Sequence, residues 1–446
     1  MIRYPFRLGF QRAGLSLLGS IPLMHAQIIA FFVPAPSGCA MAHCDTRMSD
    51  LARLSPPTAP DTTVLFHDPV PAGKGKGLGC SSNGVFAACT YNDPAGNNLV
   101  FYDASGHRLW ASGSLLDATA WLSAPMISAE GDVITADDKR VVRITKSGEV
   151  VWSTRTPGGK PISPVITASG AVVLATSKGP VSAFGSADGH LIGSLWLQGE
   201  TTGANYFDTV NTPCVHGNRL YISAQLAHDH RNTGALIAVD VDVANSSQPL
   251  AIAWSFVFGS PSGASPLCLG NTIYFDGGSR LPGEPYNPQI LAVTDNQTIP
   301  LLMWNVSAPA ALPANIAADP RGGVWAMFTD YSRLERFYTA NGVVQEVLDI
   351  PTLMEEPDQI PWSAITIAGT TQHPVMLLGT RNKENNHSYV IGINLASRHL
   401  LWKANLAPAF GSDSAPSQFP IVLNSNGKPV VVAAGASSGA YFVAPP

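Results

Sequence analysis

Ionisable residues are scarce in this sequence: Asp, Glu, Lys and Arg make up 13% of 446 residues, and the net charge is -5. No block of Lys or Arg interrupts that sparseness, which removes the electrostatic footprint of a nucleic-acid or anionic-membrane partner. A charge-poor chain also takes up few protons in acid, which suits an acidic surrounding without requiring one. There is no C-x-x-C or C-x-x-C-H, so the signatures of a zinc ribbon, a thioredoxin-like redox site and covalent haem are missing. No phosphate-binding glycine loop or H-E-x-x-H occurs either. Beyond the first forty-odd residues no apolar run is long enough to cross a bilayer, so no transmembrane domain is expected in the mature chain.

Apolar residues, by contrast, reach 45%, enough for a large core. At the N-terminus Arg3, Arg7 and Arg12 precede an apolar stretch from Ala13 to Val33, followed by Ala40-Met41-Ala42. That order reads as an export signal over 1–42, cleaved after Ala42, and Pro22, His25 and Gln27 interrupt the stretch as a permanent span would not. A second reading is a lipid anchor at Cys39, since Ser37-Gly38-Cys39 resembles the end of a lipobox, with Pro36 where an aliphatic residue is wanted. Residues 43–61, rich in Ser, Pro and Thr, read as a flexible lead-in. Cleavage there leaves Cys44, Cys80, Cys89, Cys214 and Cys268, an odd set with at least one unpaired thiol. Cys80 and Cys89 flank one turn and are the first pair to consider, although a hairpin register can set them on opposite faces.

From residue 62 to 446 one unit repeats: strand, turn, strand, polar loop, strand, turn, and a strand ending in Trp. LVFYDASGHRLW ends at Trp110, VVRITKSGEVVW at Trp152 and YVIGINLASRHLLW at Trp402; looser copies end at Trp196, Trp254 and Trp304, while the copy near Leu348 lacks the Trp. Second strands such as GDVITADD, GNTIYFDG and GKPVVVAA mark eight copies spaced by roughly 40 to 54 residues, the period of four-stranded propeller blades. The expected fold is all-β: an eight-bladed β-propeller of four-stranded antiparallel blades. The last copy runs out after three strands, and an orphan strand near residues 62–68 supplies the fourth, closing the ring.

These repeats resemble the quinoprotein (PQQ)-type repeat, with Tyr102-Asp103-x-x-Gly106-x-x-x-Trp110 as the best match. The superfamily spans dehydrogenases, outer-membrane assembly lipoproteins and tetrathionate hydrolases of acidophilic bacteria. The dehydrogenase reading implies pyrroloquinoline quinone and calcium beside an adjacent Cys-Cys disulfide, and no two cysteines here are adjacent. The scaffold reading lacks an exposed apolar stripe for a partner. The reading placed first is an exported hydrolase similar to tetrathionate hydrolase, without cofactor or metal. Its partner is a small anionic substrate, and a homodimer is left open.

In a propeller the loops entering the innermost strands and those leaving the second strands share one face. That face should carry Lys160, Asp208 and Arg381, with Asp276 ending the aromatic strand Tyr274-Phe275. Asp276 is the candidate acid/base, followed by Gly277-Gly278 that either admit substrate or form a turn. Arg280, Arg381, Lys160 and Asp208 are the candidate substrate-binding groups. His228-Asp229-His230 reads as a solvated turn rather than a metal site.

Overall fold

In the computed structural model the described residues are 31–69, 79–91, 93, 96–117, 124–198, 206–227, 233–259, 263–279, 287–310, 312, 315–328, 332–382, 384, 387–406, 419–435 and 439–446. Alternating apolar residues build eight antiparallel sheets. Blade 1 comprises Gly79–Ser82, Phe86–Thr90, Leu99–Asp103 and Arg108–Ala111, and blade 2 Met126–Ile127, Val133–Ala136, Arg140–Ile144 and Val150–Arg155. Blade 3 comprises Val165–Ile166, Ala171–Leu174, Val181–Gly185 and Leu191–Leu195, and blade 4 Cys214–His216, Arg219–Leu226, Gly234–Val241 and Leu250–Phe258. Blade 5 holds Leu267–Leu269, Thr272–Ser279, Asn287–Asp295 and Pro300–Ser307; blade 6 holds Ile316–Ala318, Val324–Phe328, Arg333–Phe337 and Val344–Asp349. Blade 7 is Thr366–Gly369, Pro374–Asn382, Ser388–Asn394 and His399–Asn405. Blade 8 takes Ile421–Ser425, Lys428–Gly435 and Gly439–Ala444 from the end of the chain and Thr63–Asp68 from its beginning, which is the expected closure.

In three seams the repeat's Trp locks one blade to a carbonyl of the next. Trp110 Nε1 donates to Lys146 O at 2.8 Å, Trp152 Nε1 to Ser186 O at 3.2 Å and Trp304 Nε1 to Thr339 O at 2.9 Å, each acceptor lying in the outer hairpin of the following blade. A Cβ on the hairpin glycine of that next blade, Gly148, Gly189 or Gly342, would collide with the same indole, so glycine there serves close approach as well as the turn. In blade 8 Phe66 takes the place of Trp against Gly106 of blade 1. A β-bulge between the third and outermost strands recurs in all eight blades; in blades 1, 2, 4, 5 and 7 it lies beside the Trp pairing and re-aims the indole at the neighbour. Trp196 follows the outermost strand of blade 3, remains exposed and meets Tyr206 edge-on.

Between blades 4 and 5 the indole finds a charged acceptor. Asp295 accepts from Trp254 Nε1 at 2.9 Å, the Tyr221 hydroxyl at 2.6 Å and Arg219 Nη1 at 2.8 Å. Burial pushes the Asp295 carboxyl up, yet the three donors outweigh it and hold it below the usual carboxylate range. The disulfide Cys214–Cys268 ties the innermost strands of the same two blades, and Cys80–Cys89 bridges directly paired residues of blade 1.

Residues 39–54, expected to end a leader and begin a flexible lead-in, are packed inside the ring. This strap runs along the innermost strands and its carbonyls accept their N–H groups: Ser82 to Cys39, Ile127 to Ala40, Val215 to Thr46, Cys268 to Arg47, Ala318 to Ser49 and Ile367 to Asp50, at 2.6–2.9 Å. Leu51–Ala52 then pairs in parallel with the innermost strand of blade 7. The unpaired inner edges of six blades thus find acceptors that water would otherwise supply. Winding so tightly places His43, Cys44, Met48 and Asp50 at φ of 55–71°, a left-handed conformation costing of order 1 kcal/mol each. A Cys39–Cys44 disulfide crosses the start of the strap, so all six cysteines are paired.

The strap and the Asp295 lock yield two tests. Intact mass and N-terminal sequencing of exported protein should show Cys39 retained; a mature chain beginning at His43 would contradict the packed strap. Asp295→Asn should cost about 2 kcal/mol at pH 7 in denaturant melts. Because the folded carboxyl titrates below its unfolded value of 3.8, that stabilisation is complete above about pH 4 and disappears as pH falls through the folded pKa.

Candidate functional site

The face that receives the loops is built up by extra ribbons. Lys160–Pro161, ahead of the innermost strand of blade 3, pairs with Thr176–Ser177 beyond the second strand. Phe207–Thr209 pairs in the same manner within blade 4, and Gln359–Pro361 within blade 7. Entry and exit segments therefore do share one face, and the ribbons of blades 3 and 4 stand side by side there.

Between them lies a cavity of about 260 Å³ lined by Lys160, Ser177, Lys178, Asp208 and Gln225. Lys178 sits at φ 59° and its backbone N–H donates to Asp208 Oδ1 at 2.7 Å, which fixes the carboxylate and turns the residue out of the strand. The arrangement sets two cations and one oriented acid around a space for a small molecule. Lys160 and Asp208 are thus brought together, and Lys178 joins them.

The remaining candidates are dispersed. Asp276 lies within the second strand of blade 5, opposite Ile290, rather than at its end, and it is buried. Gly277 and Gly278 continue the strand, so the turn expected there does not exist; a Cβ on Gly277 would strike Phe258. Arg381 lies in blade 7 with its guanidinium 5.0 Å from the Trp362 ring centroid. Arg280 and His228–His230 lie outside the described residues. Gly435-Ala436-Ser437-Ser438-Gly439 has the spacing of a nucleophile elbow; Gly435 ends one strand of blade 8, Gly439 begins the next, and 436–438 lie outside the described residues.

A quinone and calcium centre finds no fit. The strap lines the inner edges of the blades, no disulfide joins adjacent cysteines, and among the described residues no three His, Cys, Asp or Glu side chains converge on a metal position. The outer strands differ from expectation in the other direction. Ile252 and Val257 of blade 4, Leu301, Leu302 and Met303 of blade 5, and Val344 and Val347 of blade 6 are exposed, so apolar surface does line one sector of the rim. Among the described residues no helix is long and apolar enough to cross a membrane.

If the cleft is an anion site, sulfate should bind it measurably by calorimetry, and Lys160→Ala or Lys178→Ala should each weaken binding about tenfold. Equal affinity in wild type and both variants would place the anion elsewhere.

Comparison with known proteins follows this geometry. A family model described as outer membrane protein assembly factor BamB matches residues 52–289, more than half of the chain. No curated protein matches the sequence. Among solved structures, BamB from Moraxella catarrhalis superposes with a TM-score of 0.55 at 9% identity, covering 86% of this chain and 99% of that one. A quinohemoprotein alcohol dehydrogenase from Comamonas testosteroni gives 0.58 at 10% identity, covering 92% and 81%. A europium-containing methanol dehydrogenase gives 0.52 at 8% identity, covering 92% and 98%. Likeness at this identity is likeness of fold.

Proposed function

The chain belongs to the PQQ-repeat propeller family described as outer membrane protein assembly factor BamB, and from that premise we propose that this member is an exported hydrolase of a small sulfur oxyanion, of which tetrathionate is the type. The family supplies the scaffold, and the chemistry belongs to whatever the loop face carries. The observation that carries the reading is the cleft of Lys160, Lys178 and Asp208, since two ammonium groups suit a dianion and an oriented carboxylate can take a proton from water.

Hydrolysis of tetrathionate by one water gives thiosulfate, sulfur and sulfate and releases protons, so a base near the attacked sulfur assists the step. Asp276, buried in blade 5 opposite Ile290, is the proposed proton acceptor, and Arg280 and Arg381 are proposed further anion contacts. Asp208 competes with Asp276 for the role because it already lines the cleft.

Thiosulfate release from tetrathionate, measured at acidic and neutral pH, tests the reading. Asp276→Asn should lower turnover by about 100 to 10,000-fold with little change in melting temperature. If Asp208→Asn lowers it instead, the base is the cleft carboxylate; if wild type releases no thiosulfate, the hydrolase reading fails. A second reading, a protein-binding scaffold, is favoured by the exposed apolar sector of blades 4 to 6. Copurification with an outer-membrane assembly complex, lost on Leu302→Ser and Met303→Ser, would support it over the enzyme.

A further inference from the structure

We infer that Ser265, His43 and Asp50 form a nucleophilic relay, a serine acyl-transfer site separate from the anion cleft. The strap carries two of its members and blade 5 the third. His43 Nδ1 lies 3.1 Å from Asp50 Oδ1, and His43 Nε2 lies 3.0 Å from Ser265 Oγ. A carboxylate only accepts, so Nδ1 carries the proton donated to Asp50. Nε2 is then left with its lone pair toward the Ser265 hydroxyl, the tautomer a general base requires.

Asp50 is oriented from its other side. The Asn315 amide donates to Asp50 Oδ2 while Asn315 Oδ1 accepts the Ile365 N–H, and residues 265 and 315 bridge neighbouring blades at the loop-entry ends of their innermost strands. Burial holds the Asp50 carboxyl above the usual carboxylate range, and the His43 and Asn315 contacts offset that only in part. Asp50 N–H closes onto His43 O at 2.9 Å, so the acid and the imidazole are held by one short loop. Both sit at φ 55° in the strap. Strained backbone at two members of one hydrogen-bonded chain is the pattern of a site whose geometry the surrounding fold enforces. Phe419 covers the imidazole at 5.2 Å between ring centroids.

In the reaction, Ser265 Oγ attacks the carbonyl carbon of an ester and its proton passes to His43 Nε2. The ester C–O bond breaks and the departing alkoxide takes that proton. Water then attacks the acyl-serine, again through His43, and releases the acid with Ser265 restored. Asp50 Oδ1 orients the imidazole through Nδ1.

A fluorophosphonate probe on the full exported chain tests this directly, with the labelled peptide read by mass spectrometry. Ser265 should be labelled in folded protein and not after heat unfolding. Ser265→Ala should abolish labelling and His43→Gln, which keeps hydrogen-bonding atoms on both sides, should slow it at least about 100-fold. Hydrolysis of p-nitrophenyl acetate should fall in parallel. Lys160→Ala should leave labelling unchanged, so failure of the anion cleft and failure of the relay are distinguishable. No labelling of folded wild type, or an unchanged rate in a folded His43→Gln variant, would overturn the relay and leave the three residues as polar packing between strap and blades.

Discussion

Eight sheets converging on one axis leave eight inner edges whose backbone N–H and C=O groups face each other across a narrow space. Pairing them is the constraint on which the rest of this structure depends. The strap meets it for six blades with main-chain carbonyls alone, which makes the solution indifferent to side-chain identity on the outward-facing atoms. Its side chains are consequently available for other contacts, and His43 and Asp50 use that availability. The tight winding that aims successive carbonyls at successive blades also forces the left-handed residues. Collar, strain and relay are therefore one geometric arrangement.

The outer half of the molecule solves a different problem by repetition. Trp110, Trp152, Trp304 and Phe66 each fill the seam to the next blade, and each of these partner hairpins supplies a glycine beneath the ring. Where the neighbouring hairpin offers Asp295 instead of a carbonyl, a Tyr and an Arg join the indole on the same carboxylate, and the seam becomes an ionic lock. Exposed side chains on the outermost strands of blades 4 to 6 lie outside this pattern and add nothing to the seams.

The propeller was legible because its determinants are periodic. What recurs is a turn followed by a strand ending in Trp, and in residues 103–110 its physical cause is visible: Asp103 caps the turn by accepting from Ser105 and His107, and Gly106 allows it. The closing strand was legible for the complementary reason, a missing fourth strand at one end and a surplus strand at the other. The strap was not. Its backbone is held by contacts to six distant segments, and its sequence, a mixture of Ala, Met, Leu, Cys and charged residues, carries no period. Lys160 and Asp208 were found by residue type on a predictable face, and their meeting follows from adjacent ribbons. Asp276 was placed at a strand end because Gly-Gly usually marks a turn; in fact Gly277 makes room for Phe258, and the strand runs on.

The closure between the two ends of the sequence also fixes an order in time. Ser82 Oγ donates to Val422 O across 340 residues, Trp402 Nε1 reaches Pro57 O across 345, and Thr63–Asp68 cannot pair until Gly439–Ala444 exists. The closing strand is made before any blade, yet its partner is the last strand to be made, whereas the strap's partners in six blades appear one after another. Contacts so remote in sequence form slowly. A ribosome therefore releases a chain whose blades can already be sheets while the ring is still open. Closure of the ring is therefore a late event, following the blades it joins.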